Sequence, residues 1–154
     1  MKLNQSKSSV KKSNVKNVKV AILLPRFNDE LGLELLKNTE AGLQKHGVKN
    51  VTIYRVPGAL ELPYAALKLA KSKKYHVIIA LGIVIRGETK HFDLVTEECH
   101  RGLMQVSLTH EIPIIFGVLA TENKKQALDR ISANKMNKGG EFAEAAIEMA
   151  EFHG

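Results

Sequence analysis

The sequence contains very little cysteine and no tryptophan. Its 154 residues include a single cysteine, Cys99. One cysteine excludes an intrachain disulfide, and nothing in the sequence indicates an oxidising compartment. Cys99 falls in the middle of a predicted helix, and a thiol nucleophile is not predicted. We expect a cytoplasmic protein with a core large enough to fold without disulfides or a metal.

Long apolar runs are also missing. No stretch reaches the roughly 18 residues that a membrane-spanning helix requires, and the N-terminus lacks the apolar segment of a secretory signal. We therefore expect no membrane partner. Five of the six histidines show no metal-ligand spacing, so no metal site is predicted. These five are His46, His76, His100, His110 and His153.

Acidic side chains are absent from the start of the chain. Six of the 23 basic residues precede Val20, which leaves 17 basic against 16 acidic residues in the remainder, a net charge of +1. A basic, aromatic-free tail could be a solvated arm or a grip on nucleic acid, but it offers no stacking platform for bases. We predict that residues 1–17 form a flexible basic arm, that residues 18–154 form a single domain, and that nucleic acid is not a partner.

What is present is a regular alternation of strands and helices. Strands are predicted at 18–24, 51–56, 77–83 and 114–119, and helices at 28–46, 60–71, 92–108, 124–131 and 140–153. The strands read as continuous apolar runs, which predicts an α/β fold with a parallel sheet covered by helices on both faces. Ligands of such sheets bind beyond the carboxyl ends of the strands.

The stretch 81–95, LGIVIRGETKHFDLV, combines several features of a binding site. A buried strand that ends in a glycine turn and leads into a helix brings backbone N–H groups and a helix N-terminus together, where an anion can bind. Gly87-Glu88-Thr89 suits a phosphate, although the Walker and dinucleotide-binding patterns are both absent. His91 follows, and histidine suits proton transfer near neutral pH.

Several other candidates allow two interpretations each. Phe27, after the first strand, could stack on a planar heterocycle or staple onto the next helix. Glu61 could bind a ligand or complement a helix dipole, and His91 could carry protons or cap its helix. Arg130 could bind phosphate or pair with a surface acid, and Lys138 could line a pocket or be solvated.

Six motifs follow one another in a fixed order along residues 18–150. They are RFN at 26–28, VPGALELP at 56–63, GIVIRGETKHFD at 82–93, IIFGVLATEN at 114–123, DR at 129–130 and NKGGEFAEAAIEMA at 137–150. Together they resemble the 6,7-dimethyl-8-ribityllumazine synthase family of riboflavin biosynthesis. The resemblance implies a flavodoxin-like three-layer α/β/α sandwich with a four-stranded parallel sheet.

The resemblance also implies an activity. Enzymes of this kind condense 5-amino-6-ribitylaminouracil with 3,4-dihydroxy-2-butanone 4-phosphate, releasing phosphate and water, and no cofactor is implied. His91 would carry protons, Arg130 would bind the phosphate from an adjacent subunit, and Lys138 would complete the pocket. Phe27 would stack on the pyrimidine. The other implied substrate-binding residues are Ala59, Leu60 and Glu61 for the ribityl chain, Val84 and Ile85 for the pyrimidine, Gly87, Glu88 and Thr89 for the phosphate, and Phe116 from the neighbour.

The resemblance also implies an oligomeric assembly, and it leaves alternative functions open. A homopentamer is the minimum, with a decamer or a sixty-subunit shell as multiples, and riboflavin synthase is a possible partner. Leu60 replaces the usual phenylalanine, Asp129 replaces a glutamate, and Ile131-Ser132 replaces an Ala-Gly pair, so the loop up to Met136 is expected to run differently. An archaeal-type riboflavin synthase and a non-catalytic flavin-binding or shell-forming relative are the alternative functions.

Overall fold

Strands and helices alternate along residues 15–153, the part of the chain that the structure, a computed structural model, describes. Most of the predicted arm, residues 1–14, lies outside this part. Val15–Asn17 form a 3-10 turn in which Val15 is buried. No helix of the described residues is both long and apolar enough to cross a bilayer.

The described residues form a three-layer α/β/α sandwich around one parallel sheet, which confirms the predicted fold class. The strands are β1 (Lys19–Pro25), β2 (Asn50–Val56), β3 (Val77–Ile85) and β4 (Ile114–Thr121). The helices are α1 (Asp29–Lys45), α2 (Leu62–Ser72), α3 (His91–His110), α4 (Lys124–Ile131) and α5 (Lys138–Ala150). The strand order is β2-β1-β3-β4.

Alternate residues of each central strand face opposite helical layers, as strand geometry requires. From β1, Val20, Ile22 and Leu24 pack toward α1, α4 and α5, whereas Ala21 and Leu23 pack toward α2 and α3. The predicted buried face of α1 is confirmed. It consists of Leu31, Leu35, Leu36, Thr39 and Leu43, and Gly32 is buried beside them.

The structure corrects three of the sequence predictions. The sheet is not covered along its whole width, because β2 is one of its two edge strands and Ile53 there is 37% exposed. The helix predicted at 60–71 begins with a separate 3-10 turn, Ala59–Glu61, before Pro63 enters the first turn of α2. The last helix starts two residues earlier than predicted, because Asn137 caps it by accepting a hydrogen bond from the Gly140 N–H. It also ends three residues earlier than predicted.

The strand order places a topological switch between β1 and β3. The chain leaves β1 for β2 on one side and then crosses to β3 on the other side, so the connections that follow β1 and β3 diverge and leave a crevice between them. Sheet pairing continues just past the strand ends. The Arg26 N–H donates to the Val56 carbonyl at 2.8 Å, and the Arg86 N–H donates to the Thr121 carbonyl at 2.9 Å. The connections therefore start from well-ordered positions.

The layer of α2 and α3 depends on a close crossing at Gly102. A Cβ atom at this position would lie 2.7 Å from both Cβ and Cγ of Pro63, which is closer than real Cβ contacts. Only a glycine allows the two helices to approach this closely without displacement.

We expect Gly102→Ala to destabilise the fold by about 1–3 kcal/mol, because overpacking outweighs the gain in helix propensity. The measurement is the free energy of unfolding in urea. Gln105→Ala is the matched control, since Gln105 is exposed on the same helix and should change stability by no more than about 0.5 kcal/mol. Equal stability of the two variants would contradict the close crossing.

Candidate active site

A cavity of about 380 Å³ lies at the carboxyl ends of β1 and β3. It occupies the crevice at the topological switch, where ligands of open α/β sheets bind. Nine of the predicted site residues line it: Phe27, Ala59, Leu60, Glu61, Val84, Ile85, Gly87, Thr89 and His91. Three separate connections therefore contribute to one pocket.

A larger depression, about 640 Å³, opens at the opposite, amino-terminal edge of the sheet. Its rim carries exposed lysines, including Lys19, Lys49 and Lys73, and it contains neither a glycine turn nor a helix N-terminus. Lysines beside the C-terminal ends of α1 and α2 are expected because they complement the helix dipoles. The cavity at the carboxyl edge is therefore the better candidate for chemistry.

The β1–α1 connection presents Phe27 to the cavity. Its side chain is 72% exposed, so the ring does not staple onto α1 and is available to stack on a planar ligand. The connection is held from both sides. Asn28, in the left-handed region at φ 55°, donates from Nδ2 to the Ile83 carbonyl at 2.9 Å. Arg55 donates from Nε to the Leu24 carbonyl at 3.2 Å and pairs with Asp29.

Glu61 projects from the 3-10 turn that follows β2. A Cβ atom at Gly58 would lie 3.1 Å from Glu61 Oε2, so the carboxylate rests against the Gly58 backbone. Glu61 precedes α2 but makes no capping hydrogen bond with its side chain. The carboxylate therefore remains available to accept hydrogen bonds from a ligand in the cavity, beside the apolar side chains of Ala59 and Leu60.

The glycine turn connects β3 to the N-terminus of α3. Residues 87–91 are exposed, and a Cβ atom at Gly87 would meet no neighbour within 4 Å, so an approaching ligand has space there. The His91 N–H donates to Thr89 Oγ1 at 3.3 Å, and His91 is the first residue of a 20-residue helix. The positive end of the helix dipole and the free turn amides favour an anion at this point.

Four predicted site residues do not line this cavity. Glu88 lies in the glycine turn and is exposed, and Phe116 packs beside His100 of α3 with ring centroids 5.6 Å apart. Arg130 and Lys138 belong to α4 and α5, which pack on the other face of the sheet. Within one chain the structure therefore does not bring these residues to the pocket.

Arg130 and Lys138 already have local contacts. Arg130 Nη1 donates to the Gln126 carbonyl at 3.0 Å, and Lys138 Nζ lies 2.8 Å from Glu141 Oε2. Lys135 Nζ lies 2.7 Å from Asp129 Oδ1, and this hydrogen bond lowers the pKa of Asp129 below its ordinary value. The Asp129 carboxylate is therefore hydrogen-bonded to Lys135 in the loop that follows α4, rather than to the neighbouring guanidinium of Arg130.

Sequence reasoning missed part of the cavity wall. Phe92 and Val95 line it from the first turn of α3, and Pro25 and Ile83 line it from the two strand ends. The spacing of Phe92 and Val95 marks one helix face, a periodicity that could have identified them. Their role as pocket wall follows only from the packing of α3 against the sheet.

Cys99 lies fully buried on the face of α3 that packs against the sheet. Burial raises the pKa of its thiol from 9.0 to about 11, so the thiolate is scarce at neutral pH and the group is not a nucleophile. Among residues 15–153, no group of three or more His, Cys, Asp or Glu side chains is arranged to hold a metal ion.

The raised pKa of Cys99 predicts a loss of stability at alkaline pH. The folded state keeps the thiol proton up to about pH 11, whereas the unfolded chain releases it near pH 9, so this stabilisation is present below pH 9 and is lost as pH rises toward 11. The free-energy advantage of the parent chain over Cys99→Ala should fall by about 2–3 kcal/mol across this interval. Urea unfolding at several pH values measures it. Tyrosine titration is common to both chains and cancels, and a constant difference would contradict the prediction.

Known proteins are similar to this chain over most of its length. Residues 17–153 match the family model of 6,7-dimethyl-8-ribityllumazine synthase. A protein of that name from Thermococcus onnurineus is 50% identical over 131 residues, which cover 85% of this chain and 86% of the relative. A relative of the same name from Thermococcus gammatolerans is 46% identical, with 88% of each chain covered. Another from Thermococcus kodakarensis is 47% identical, with 86% of this chain and 85% of the relative covered. Because both the family model and the relatives extend over most of its length, the chain belongs to the 6,7-dimethyl-8-ribityllumazine synthase family.

Proposed function

We propose that the chain condenses 5-amino-6-ribitylaminouracil with 3,4-dihydroxy-2-butanone 4-phosphate to give 6,7-dimethyl-8-ribityllumazine, phosphate and water. The observation that carries this proposal is the pocket at the topological switch, which joins an exposed aromatic ring, a carboxylate, a glycine turn and a histidine. Family membership supports the same activity. A riboflavin synthase or a non-catalytic relative is not favoured, because the matching family and the three relatives are all named as lumazine synthases.

The pocket residues suit the two substrates in different ways. Phe27 stacks on the pyrimidine, which Val84 and Ile85 hold from the strand. The ribityl hydroxyls donate to Glu61, beside Ala59 and Leu60. The phosphate lies in the turn of Gly87, Glu88 and Thr89, at the N-terminus of α3. The two substrates then meet in the crevice between Phe27 and the turn.

The reaction needs proximity and proton transfer more than any special reagent. An amine of the pyrimidine adds to the ketone and forms an imine with loss of water, and loss of a carbon-bound proton then drives phosphate elimination. The resulting enol tautomerises to a ketone, which the second amine attacks to close the ring with loss of a second water. His91 is at the pocket wall and carries these protons. Holding both substrates in one cavity lowers the entropic cost of the first step. We propose no cofactor, since these groups serve every step.

We propose that a neighbouring subunit completes each site. Arg130 and Lys138 belong to α4 and α5, on the other face of the sheet from α2 and α3, and they do not line the cavity of their own chain. A head-to-tail ring places these residues, together with Phe116, against the pocket of the next copy, and a ring of this kind closes. We propose a homopentamer as the basic assembly, with decamers or sixty-subunit shells as its multiples, in the cytoplasm.

The activity predicts that phosphate release and lumazine formation occur together. When the purified protein is mixed with the two substrates, inorganic phosphate and the lumazine chromophore should appear at equal rates above the spontaneous reaction. A colorimetric phosphate assay and absorbance spectroscopy measure the two products. The control is the same mixture without protein. Absence of both signals above that background would remove the proposed function.

The shared site predicts different effects for two single variants. Arg130→Ala should raise KM for the phosphorylated substrate, because a bidentate phosphate contact is lost. His91→Ala should mainly lower kcat. The decrease should be no larger than the factor of about 10² to 10⁴ that is usual for acid–base residues.

The same two variants test whether the site is shared. In mixed rings of Arg130→Ala and His91→Ala chains, about a quarter of the interfaces combine two intact contributions and should regain activity. Steady-state kinetics of co-expressed and singly expressed variants measure the recovery. If Arg130 and His91 served the same chain, mixed rings would show no recovery.

A further inference from the structure

We propose that Arg86 is a positioning residue that clamps the two ends of the glycine turn and so holds the phosphate site open for its ligand. This inference rests on the proposed function, because it concerns how the same site receives a phosphorylated substrate. Arg86 immediately precedes Gly87, and its guanidinium contacts residues beyond the other end of the turn.

The guanidinium bridges two carboxylates from different elements. Arg86 Nη2 donates to Asp93 Oδ1 at 3.2 Å and Nη1 donates to Asp93 Oδ2 at 3.4 Å, in a bidentate arrangement. Arg86 Nε donates to Glu122 Oε2 at 2.7 Å. Asp93 belongs to the first turn of α3, whereas Glu122 directly follows β4. One side chain therefore joins the ends of β3 and β4 to the N-terminus of α3.

The same guanidinium also covers the pocket wall. Its central carbon lies 4.5 Å from the ring centroid of Phe92, in a cation–π contact, and Phe92 also lines the cavity. Hydrogen bonds to Asp93 and Glu122 raise the pKa of Arg86 above its already high ordinary value, so the charge is permanent. Arg86 thus positions both the aromatic wall and the helix that begins with His91.

The turn itself has few contacts of its own. Residues 87–91 are exposed, and in this segment the structure shows one side-chain hydrogen bond, from the His91 N–H to Thr89 Oγ1 at 3.3 Å. A loop with so little packing would lose conformational entropy when it binds phosphate. A clamp across its ends removes part of that cost before the ligand arrives, which increases affinity without adding a contact.

A direct contact between Arg86 and phosphate is the competing explanation. Variants of the two carboxylates, Asp93 and Glu122, distinguish this direct contact from the clamp. In the clamp, Asp93 and Glu122 are required partners. In a direct contact, they compete with the phosphate for the guanidinium, and their removal would free it. Glu122 is the sharper probe because it belongs neither to the turn nor to α3.

The test measures KM for the phosphorylated substrate, KM for the pyrimidine and kcat in Arg86→Met, Arg86→Lys, Asp93→Asn and Glu122→Gln. The clamp predicts that Arg86→Met and Glu122→Gln both raise KM for the phosphorylated substrate, by about tenfold and a few-fold respectively, with a smaller change for the pyrimidine. Asp93→Asn should resemble Glu122→Gln. Lysine keeps the charge but cannot bridge two carboxylates in a fixed fork, so Arg86→Lys should recover little.

Arg101→Met is the matched control, since it removes an exposed ion pair with Glu98 from the same helix and should leave the kinetics unchanged. An unchanged or lowered KM for the phosphorylated substrate in Glu122→Gln and Asp93→Asn would overturn the clamp and indicate a direct ligand. Equal rises in both KM values, with a matching loss of thermal stability, would also overturn it, because that pattern indicates a general structural role.

Hydrogen exchange separates this inference from the proposed function. The Leu94 N–H donates to the Lys90 carbonyl at 3.2 Å in the first turn of α3. Its exchange should accelerate at least about threefold in Arg86→Met and not in Arg101→Met, because the clamp limits local opening. This result does not require turnover, so it stands or falls even if the parent chain forms no lumazine. Unchanged exchange would refute the clamp.

Discussion

The parallel pairing of β1 with β3 is the constraint on which the site depends. Val20 pairs with Val77 and Leu23 pairs with Ala80, so both strands end at the same edge of the sheet. The chain leaves this edge in opposite directions, because β2 lies beyond β1 and β4 lies beyond β3. Phe27 and His91 are distant in the sequence, yet they share one cavity for this reason.

The sheet that creates the pocket also divides the molecule. The helices α2 and α3 cover one face, and α1, α4 and α5 cover the other, each with its own apolar core. A basic side chain on α4 or at the start of α5 is therefore separated from the pocket of its own chain. Under the proposed function, a second copy would bring such a side chain to the pocket, because the layered architecture separates the two within one chain.

Residues of β3 and α3 line part of the pocket, and exposed connections line the rest. Three side chains tie those connections to the sheet: Asn28 reaches the end of β3, Arg55 holds the end of β1, and Arg86 joins α3 to the end of β4. Each uses a hydrogen bond to a fixed carbonyl or carboxylate rather than apolar burial. These hydrogen bonds order the loops without filling the cavity, so the cavity stays open until the substrates arrive.

Local patterns in the sequence determined much of this protein. The central strands, the buried face of α1 and the turn at Gly87 are readable from runs of apolar residues, helical spacing and glycine, since these signals depend on neighbours in the chain. Only the tertiary structure decided that β2 is an exposed edge and that Arg86 meets Glu122, 36 positions away. Both depend on the order of strands across the sheet, and that order comes from packing between elements rather than from any one segment.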